Sequence, residues 1–325
     1  MRLRIGARPA RAAALCAIAA RVFMGLTVDM PTTRNGAWLS ALFGALLAGP
    51  WLAFLRYARA RGMLLRSALL AVTVIDAAAV LAALARSAGY LALDRTSPAL
   101  LAIPAGIALL WGVWRNGDAV GYAAMIWARI ALALLLIVGF LQARSFKPAW
   151  LTPVLGSGWP DVLDGGVHAA GWIVSASGIL FVVEEDGGAG PALGALAGGV
   201  GVAALLIVLA GMLTPTRALS GWIIRLDDLL CNGRAPLYLQ LPLIALWFAA
   251  LLHLLACQCF AAAALVQRLT GAGGRLCGTL IVLAALLLSR VGVLEMASAM
   301  LARYGFAATA ALTALSARRK GGLSA

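Results

Sequence analysis

Three charged side chains stand inside long apolar stretches of this sequence, where an unpaired charge is costly. Asp76 lies at the centre of the run LLAVTVIDAAAVLAAL, and Arg21 and Arg129 interrupt two other apolar runs. A charge at membrane depth destabilises a protein unless it is paired or hydrated. Two interpretations of Asp76 follow, a structural ion pair with Arg21 or Arg129, or direct contact with a ligand, a cation or a proton.

Small and hydroxyl-bearing residues form a second candidate group. The segment RVFMGLTVDMP contains Gly25 and Thr27, and the segment GGVHAAGWIVSASGILF contains Trp172, Ser175 and Gly178. If both helices are broken at these points, the helix ends can bind the charged ends of a small zwitterion. Glycine is also common where membrane helices simply pack together, so both interpretations remain open.

His253, in the run LLHLLACQCF, is the last candidate for the pocket. A lone histidine inside a membrane more often bonds to a neighbouring helix than to a ligand. The glycines would expose backbone donors, Thr27 and Ser175 would orient a carboxylate or an amine, and Trp172 would cap an apolar group. The complete predicted pocket consists of Gly25, Thr27, Asp76, Trp172, Ser175, Gly178 and His253.

Patterns typical of enzymes and metal centres are absent from the sequence. There is no HExxH, Walker lysine or GxSxG. The five cysteines show no zinc spacing, and Cys257 and Cys259 would point to different sides of a helix. The net charge of +14 comes from basic residues near helix ends and not from a basic stretch with aromatics. We therefore expect no catalysis, metal, cofactor or nucleic-acid partner.

Apolar helices must position these candidate residues. The chain has 325 residues, of which 63% are hydrophobic, and about 20 apolar residues cross the hydrocarbon core of a bilayer. The sequence thus predicts an all-α integral membrane protein with about ten transmembrane helices and no sizeable soluble domain. The predicted spans are 12–30, 36–56, 66–88, 98–114, 119–142, 163–183, 190–213, 237–266, 275–292 and 303–317.

We expect these spans to form a single membrane domain over residues 1–325. Five spans in 12–142 and five in 163–317 would make a five-plus-five inverted repeat, with the first and sixth helices as the equivalent broken pair. The connection 143–162 is rich in proline, glycine and tryptophan, and 216–230 resembles an amphipathic surface helix. The basic residues of the loops favour cytoplasmic positions for both termini.

Several short segments carry a resemblance to a known family through their order along the chain. They are Trp38, Thr96-Ser97-Pro98, GYAAMIWARIALAL, LTPVLGSG at 151–158 followed by Asp164-Gly165-Gly166, and Arg225-Leu226-Asp227. In this order they resemble the B subunits of GerA-type spore germinant receptors, a branch of the amino acid/polyamine/organocation transporter superfamily. The segment 151–158 is the most specific of them. Met125 or Ile126, and also Ile224, stand where that family usually has glutamate.

The resemblance implies a LeuT-like fold that works as a sensor. A small germinant such as an amino acid would bind between the broken first and sixth helices, with help from the third and the eighth. The bound state would signal to germinant-receptor A and C subunits in the inner membrane of a spore. Signalling of this kind needs only different affinities for two conformations.

Two other functions fit the same residues. The first is a secondary active transporter of amino acids or polyamines, in which Asp76 is a candidate proton carrier. The second is a structural subunit without a ligand, whose pocket would be filled by side chains such as Met24 and Trp172. A flux assay separates the transporter from the receptor, and ligand-induced stabilisation counts against the structural subunit.

Overall fold

The computed structural model describes residues 5–26, 36–57, 63–91, 97–115, 117–142, 146–152, 154–155, 158–181, 197–207 and 240–291, with short pieces between 297 and 312. All regular structure in these residues is helical. The α-helices are α1 (Ala7–Met24), α2 (Ala37–Tyr57), α3 (Met63–Leu91), α4 (Pro98–Trp114), α5 (Gly117–Gln142), α6 (Trp159–Ala176), α7 (Ala197–Ile207), α8 (Gln240–Thr270) and α9 (Gly274–Leu288). Short 3-10 helices cover Pro148–Leu151 and Ser177–Phe181.

The described helices agree with the spans predicted from apolar length. Each of the first nine predicted spans overlaps one of α1 to α9, and the tenth, 303–317, is described only in short helical pieces. The predicted surface helix at 216–230 lies outside the described residues. The all-helical prediction is confirmed for the described residues, and the inverted repeat stays a prediction.

Three described helices are long and apolar enough to cross a membrane. These segments are Met63–Ala88 in α3, Gly117–Leu134 in α5 and Ala245–Thr270 in α8. Large apolar side chains such as Leu136 and Phe140 of α5 are exposed at 64% and 84%. Water disfavours such a surface, whereas lipid hydrocarbon does not. The chain is therefore an integral membrane protein.

The helices α1 and α6 begin earlier than apolar length alone predicted. Helix α6 begins at Trp159 because Pro160 fits the first turn of a helix, where its missing N–H has no helical partner. Gly158 precedes it with a φ of 131°, a conformation that favours glycine. At the start of α1, the Gly6 N–H donates to Asp118 Oδ1 at 2.8 Å, which ties the first turns of α1 and α5 together.

Small residues allow α2 and α6 to pack closely. A Cβ atom added to Gly44 would lie 2.5 Å from the Ala169 Cβ and 2.9 Å from the Gly166 carbonyl oxygen. Nearby, the Ser40 hydroxyl donates to the Val162 carbonyl oxygen at 3.0 Å. Small residues at the contact allow two membrane backbones to approach each other and gain van der Waals contact. This packing fixes α6 and therefore the side chains that α6 directs into the core.

Replacing Gly44 by alanine is expected to loosen this helix pair. The added methyl would meet the backbone of α6, so the helices must move apart, and overpacking of this kind costs about 1–3 kcal/mol. Unfolding in mixed micelles titrated with SDS measures the loss. Gly112→Ala is the matched control, since a Cβ added at Gly112 in α4 has nothing within 4 Å. Equal stability of the two variants would contradict this account of the contact.

Candidate functional site

A charged network is buried where α1, α3, α6 and α8 meet. Arg21 approaches Asp76 with Nε at 2.9 Å and Nη2 at 2.8 Å from Oδ1. The hydroxyl of Ser175 donates to Asp76 Oδ2 at 2.6 Å, and Gln258 Nε2 donates to the same oxygen at 2.7 Å. None of the four residues is more than 4% exposed. Both carboxylate oxygens thus have hydrogen-bond donors in an interior that excludes water.

The ion pair of Asp76 is made with Arg21. A guanidinium is always charged, so Arg21 needs a compensating anion in a buried position. Arg129 lies elsewhere, exposed on α5. Helix α5 packs against α1 and α8 rather than against α3, and this packing separates Arg129 from Asp76.

The helices α1 and α6 depart from regular α-helical geometry beside this network. Gly25 and Leu26 follow α1 in π-helical geometry, and the Gly25 N–H donates to the carbonyl oxygens of both Arg21 and Val22. Helix α6 ends at Ala176 and continues as a 3-10 helix. Such irregular turns often mark functional positions in helices. Both departures lie within a few residues of the side chains that hold Asp76.

Trp172 fills the space between α1 and α6. The Arg21 guanidinium carbon lies 4.9 Å from the centroid of the Trp172 ring, a favourable cation–π geometry. The same ring lies against Gly25, where any added Cβ atom would collide with it. Trp172 is 2% exposed and Met24 is 3% exposed. Side chains therefore occupy the position where the sequence predicted an open pocket.

Gly178 lies close to this network but faces other helices. A Cβ atom added there would be 3.2 Å from the Ala261 Cβ of α8 and 3.5 Å from the Thr73 Oγ1 of α3. Thr73 and Ala261 are each three residues from a network residue along their helices. Gly178 thus takes part in close helix packing next to the site. Thr27 lies outside the described residues.

His253 belongs to a different region from Asp76. It lies on another face of α8, with Nε2 3.3 Å from the Cys257 Sγ, and it lines an apolar cavity on the far side of α1. Positions 253 and 258 are separated by about 140° around a helix with 3.6 residues per turn. The structure therefore brings together Gly25, Asp76, Trp172 and Ser175, with Gly178 nearby, and leaves His253 apart.

Gln258 is the network residue that the predicted pocket lacked. Its signal in the sequence is a single amide in the apolar run LLACQCFAAAAL. Only the packing of α8 against α3 shows that this amide faces Asp76. With Nε2 on the carboxylate, Gln258 Oε1 has no hydrogen-bond partner among the described residues, and neither has the indole N–H of Trp172. A donor and an acceptor therefore stand unsatisfied beside the ion pair.

The described residues contain no group of three or more His, Cys, Asp or Glu side chains able to hold a metal ion. No protein-family model matches the sequence. No protein of curated function matches it either.

Solved structures of one manganese transporter are similar to this chain at low identity. The Eremococcus coleocola manganese transporter in complex with an aromatic bis-isothiourea compound shares 14% identity with a TM-score of 0.48, covering 94% of this chain and 76% of the transporter. A histidine-to-alanine mutant of that transporter shares 13% identity with a TM-score of 0.47 and the same coverage. Likeness at this level assigns neither a fold nor a substrate to this chain.

Proposed function

We propose that this chain is a secondary active transporter of a small amine-bearing solute, an amino acid or a polyamine. The observation that carries the proposal is the buried pair of Arg21 and Asp76. It links α1 to α3 at the level where α1 and α6 lose regular helical geometry. Charged residues inside a membrane bundle typically mark substrate or ion pathways.

The pair has the properties of a gate. In the described structure the guanidinium of Arg21 is paired with the carboxylate of Asp76, and both side chains are buried. If α1 moves away from α3, the carboxylate of Asp76 loses this cation and must bind another, because an uncompensated buried charge is strongly destabilising. The ammonium group of a solute, a coupling cation or a proton can take that place. Helix α1 would thus have two arrangements, one with Asp76 paired to Arg21 and one with Asp76 paired to the solute, the coupling cation or the proton. A transporter that opens to one side of the membrane at a time requires two such arrangements.

Gln258 supports an amine as the recognised group. Its Oε1 is a buried acceptor without a partner among the described residues. Leaving such an acceptor unsatisfied costs about 1–3 kcal/mol. An N–H donor of a bound solute would satisfy Gln258 Oε1 while its positive charge faces Asp76. Amino acids and polyamines carry ammonium groups, which supply both the N–H donor for Gln258 Oε1 and the positive charge for Asp76.

Uptake into proteoliposomes tests the proposal. We expect Ser175→Ala to lower uptake of the transported amino acid or polyamine about tenfold, equivalent to about 1.4 kcal/mol, because one donor to Asp76 is lost. Ser177→Ala is the matched control, since the buried Ser177 hydroxyl donates instead to the Val174 carbonyl oxygen at 2.8 Å. A similar loss of uptake in both variants would contradict a specific role for Ser175.

The germinant-receptor B subunit is the second candidate function. Its support is the ordered set of sequence segments described above, together with a centre between α1 and α6 that is closed by Trp172 and Met24. A receptor of this kind would bind its germinant, signal to the A and C subunits, and transport nothing. Stabilisation by an amino acid without any uptake or exchange would favour it. Absence of both stabilisation and uptake would favour a structural subunit and overturn the transporter proposal.

A further inference from the structure

A half-open cavity of about 270 Å³ lies behind α1, on the side away from Asp76. Its walls come from α1, α5, α7 and α8, and they include Cys16, Phe23, Trp127, Gly201 and Trp247. Arg21 points into the charged network, whereas its neighbours Ala20 and Phe23 face the cavity. The body of α1 thus separates the cavity from the proposed transport site.

We propose that this cavity binds the acyl chain of a membrane lipid. Its lining is almost entirely apolar, and the one histidine in its wall, His253, already contacts the Cys257 Sγ at 3.3 Å. At about 30 Å³ per molecule of liquid water, the volume equals about nine waters, but apolar cavities of this kind stay dry. The wall contains no Asp, Glu, Lys or Arg side chain that could hold a charged ligand. A hydrocarbon chain matches this chemistry.

The position of the cavity favours a lipid over a solute from the aqueous phase. Trp127 of α5 lines the cavity and is itself 40% exposed. Ile126 at 59% and Ile130 at 41% are exposed beside it on α5, together with the charged Arg129. The cavity is therefore continuous with a largely apolar helix surface that lipid hydrocarbon can cover. An acyl chain from that layer can enter sideways and restore van der Waals contacts that an empty cavity loses.

A bound acyl chain would support the rear surface of α1. Phe23 lines the cavity and meets Trp247 of α8 edge to face, with ring centroids 6.1 Å apart. Filling the space beside this contact would hold α1 in the position where Arg21 reaches Asp76. The lipid site is thus independent of the solute site in its chemistry but touches the same helix.

Photocrosslinking in vesicles tests the lipid site. The probe is a phosphatidylcholine with a diazirine on one acyl chain, incorporated into vesicles that contain the full-length protein. Mass spectrometry should find the label on peptides that contain residues 15–23 and 246–253. The variant Gly201→Leu should lose this labelling, because a Cβ added at Gly201 has open space within 4 Å and a leucine there would fill the cavity.

Gly112→Leu is the matched control, a glycine with equal free space in α4, away from the cavity. It should keep the labelling of both peptides. A second filling variant, Ala131→Leu at the α5 wall, should repeat the loss if Gly201→Leu fails to fold. Label on the exposed α5 side chains Leu132, Leu136 and Phe140 serves as the reference for general lipid contact. The proposal would be overturned if the wall peptides are unlabelled in the wild type. It would also be overturned if Gly201→Leu and Ala131→Leu are both labelled as strongly there as the wild type.

Discussion

Asp76→Leu is expected to be the most damaging single substitution described here. It removes the anion beside Arg21, which is 1% exposed and cannot lose its proton in a protein. Breaking a buried ion pair by removal of one partner costs about 3–5 kcal/mol. We therefore expect SDS-titrated unfolding to shift by this amount, or the variant to be recovered unfolded. A variant as stable as the wild type would contradict the pairing.

A double variant distinguishes the cost of a lone charge from the loss of packing. Arg21→Met combined with Asp76→Leu removes both charges and keeps apolar volume in their place. Replacement of a buried ion pair by packed apolar residues is often neutral, so we expect the double variant to recover most of the stability that Asp76→Leu loses. If the pair is also the transport gate, this stable double variant should show no uptake. Normal uptake by the double variant would show that transport does not require the pair of Arg21 and Asp76.

Gly25→Leu is expected to have the second largest effect. Even the first carbon of a side chain at Gly25 would collide with the Trp172 ring, which is packed beneath Arg21 and is 2% exposed. Overpacking costs about 1–3 kcal/mol for small additions, and leucine adds four carbons at this point. We expect lower thermal stability and the loss of the cation–π contact between Arg21 and Trp172. Thermal unfolding monitored by size-exclusion chromatography measures the first effect.

The same substitution has a partner variant and a control. Trp172→Ala opens space in front of Gly25, so Gly25→Leu combined with Trp172→Ala should be more stable than the sum of the two single changes predicts. Gly112→Leu should cost little, because no atom lies within 4 Å of the added Cβ. Strict additivity of the two changes would show that Gly25 and Trp172 do not share this space.

The expected effect of Gly25→Leu depends on whether Gly25 borders an open pocket or a packed side chain. An open pocket with exposed backbone at Gly25, as the sequence predicts, would make Gly25→Leu abolish a ligand response while expression stays intact. The structure places the indole of Trp172 on that glycine. The structure therefore predicts that the substitution affects folding first and ligand response second.

Helix positions followed from apolar length, but their ends depended on single residues. The described helices overlap the predicted spans because burying a polar backbone in a membrane requires helices of a certain length. Their starts differ where a proline fits the first turn, as Pro160 does in α6. Residues 27–35 and 208–239 lie outside the described structure, so the predictions for Thr27 and the surface helix at 216–230 are untested.

Two conclusions could be predicted from the sequence, that this protein is a helical membrane protein and that Asp76 needs a partner. Both conclusions depend on local properties, namely apolar composition and the cost of charge at membrane depth. Tertiary structure alone decided that Arg21 and not Arg129 pairs with Asp76, that Gln258 joins them, and that His253 lines another cavity. Successive side chains of an α-helix are rotated by about 100° around its axis, so neighbouring residues face different helices. Which faces meet is therefore set by how the helices pack against one another.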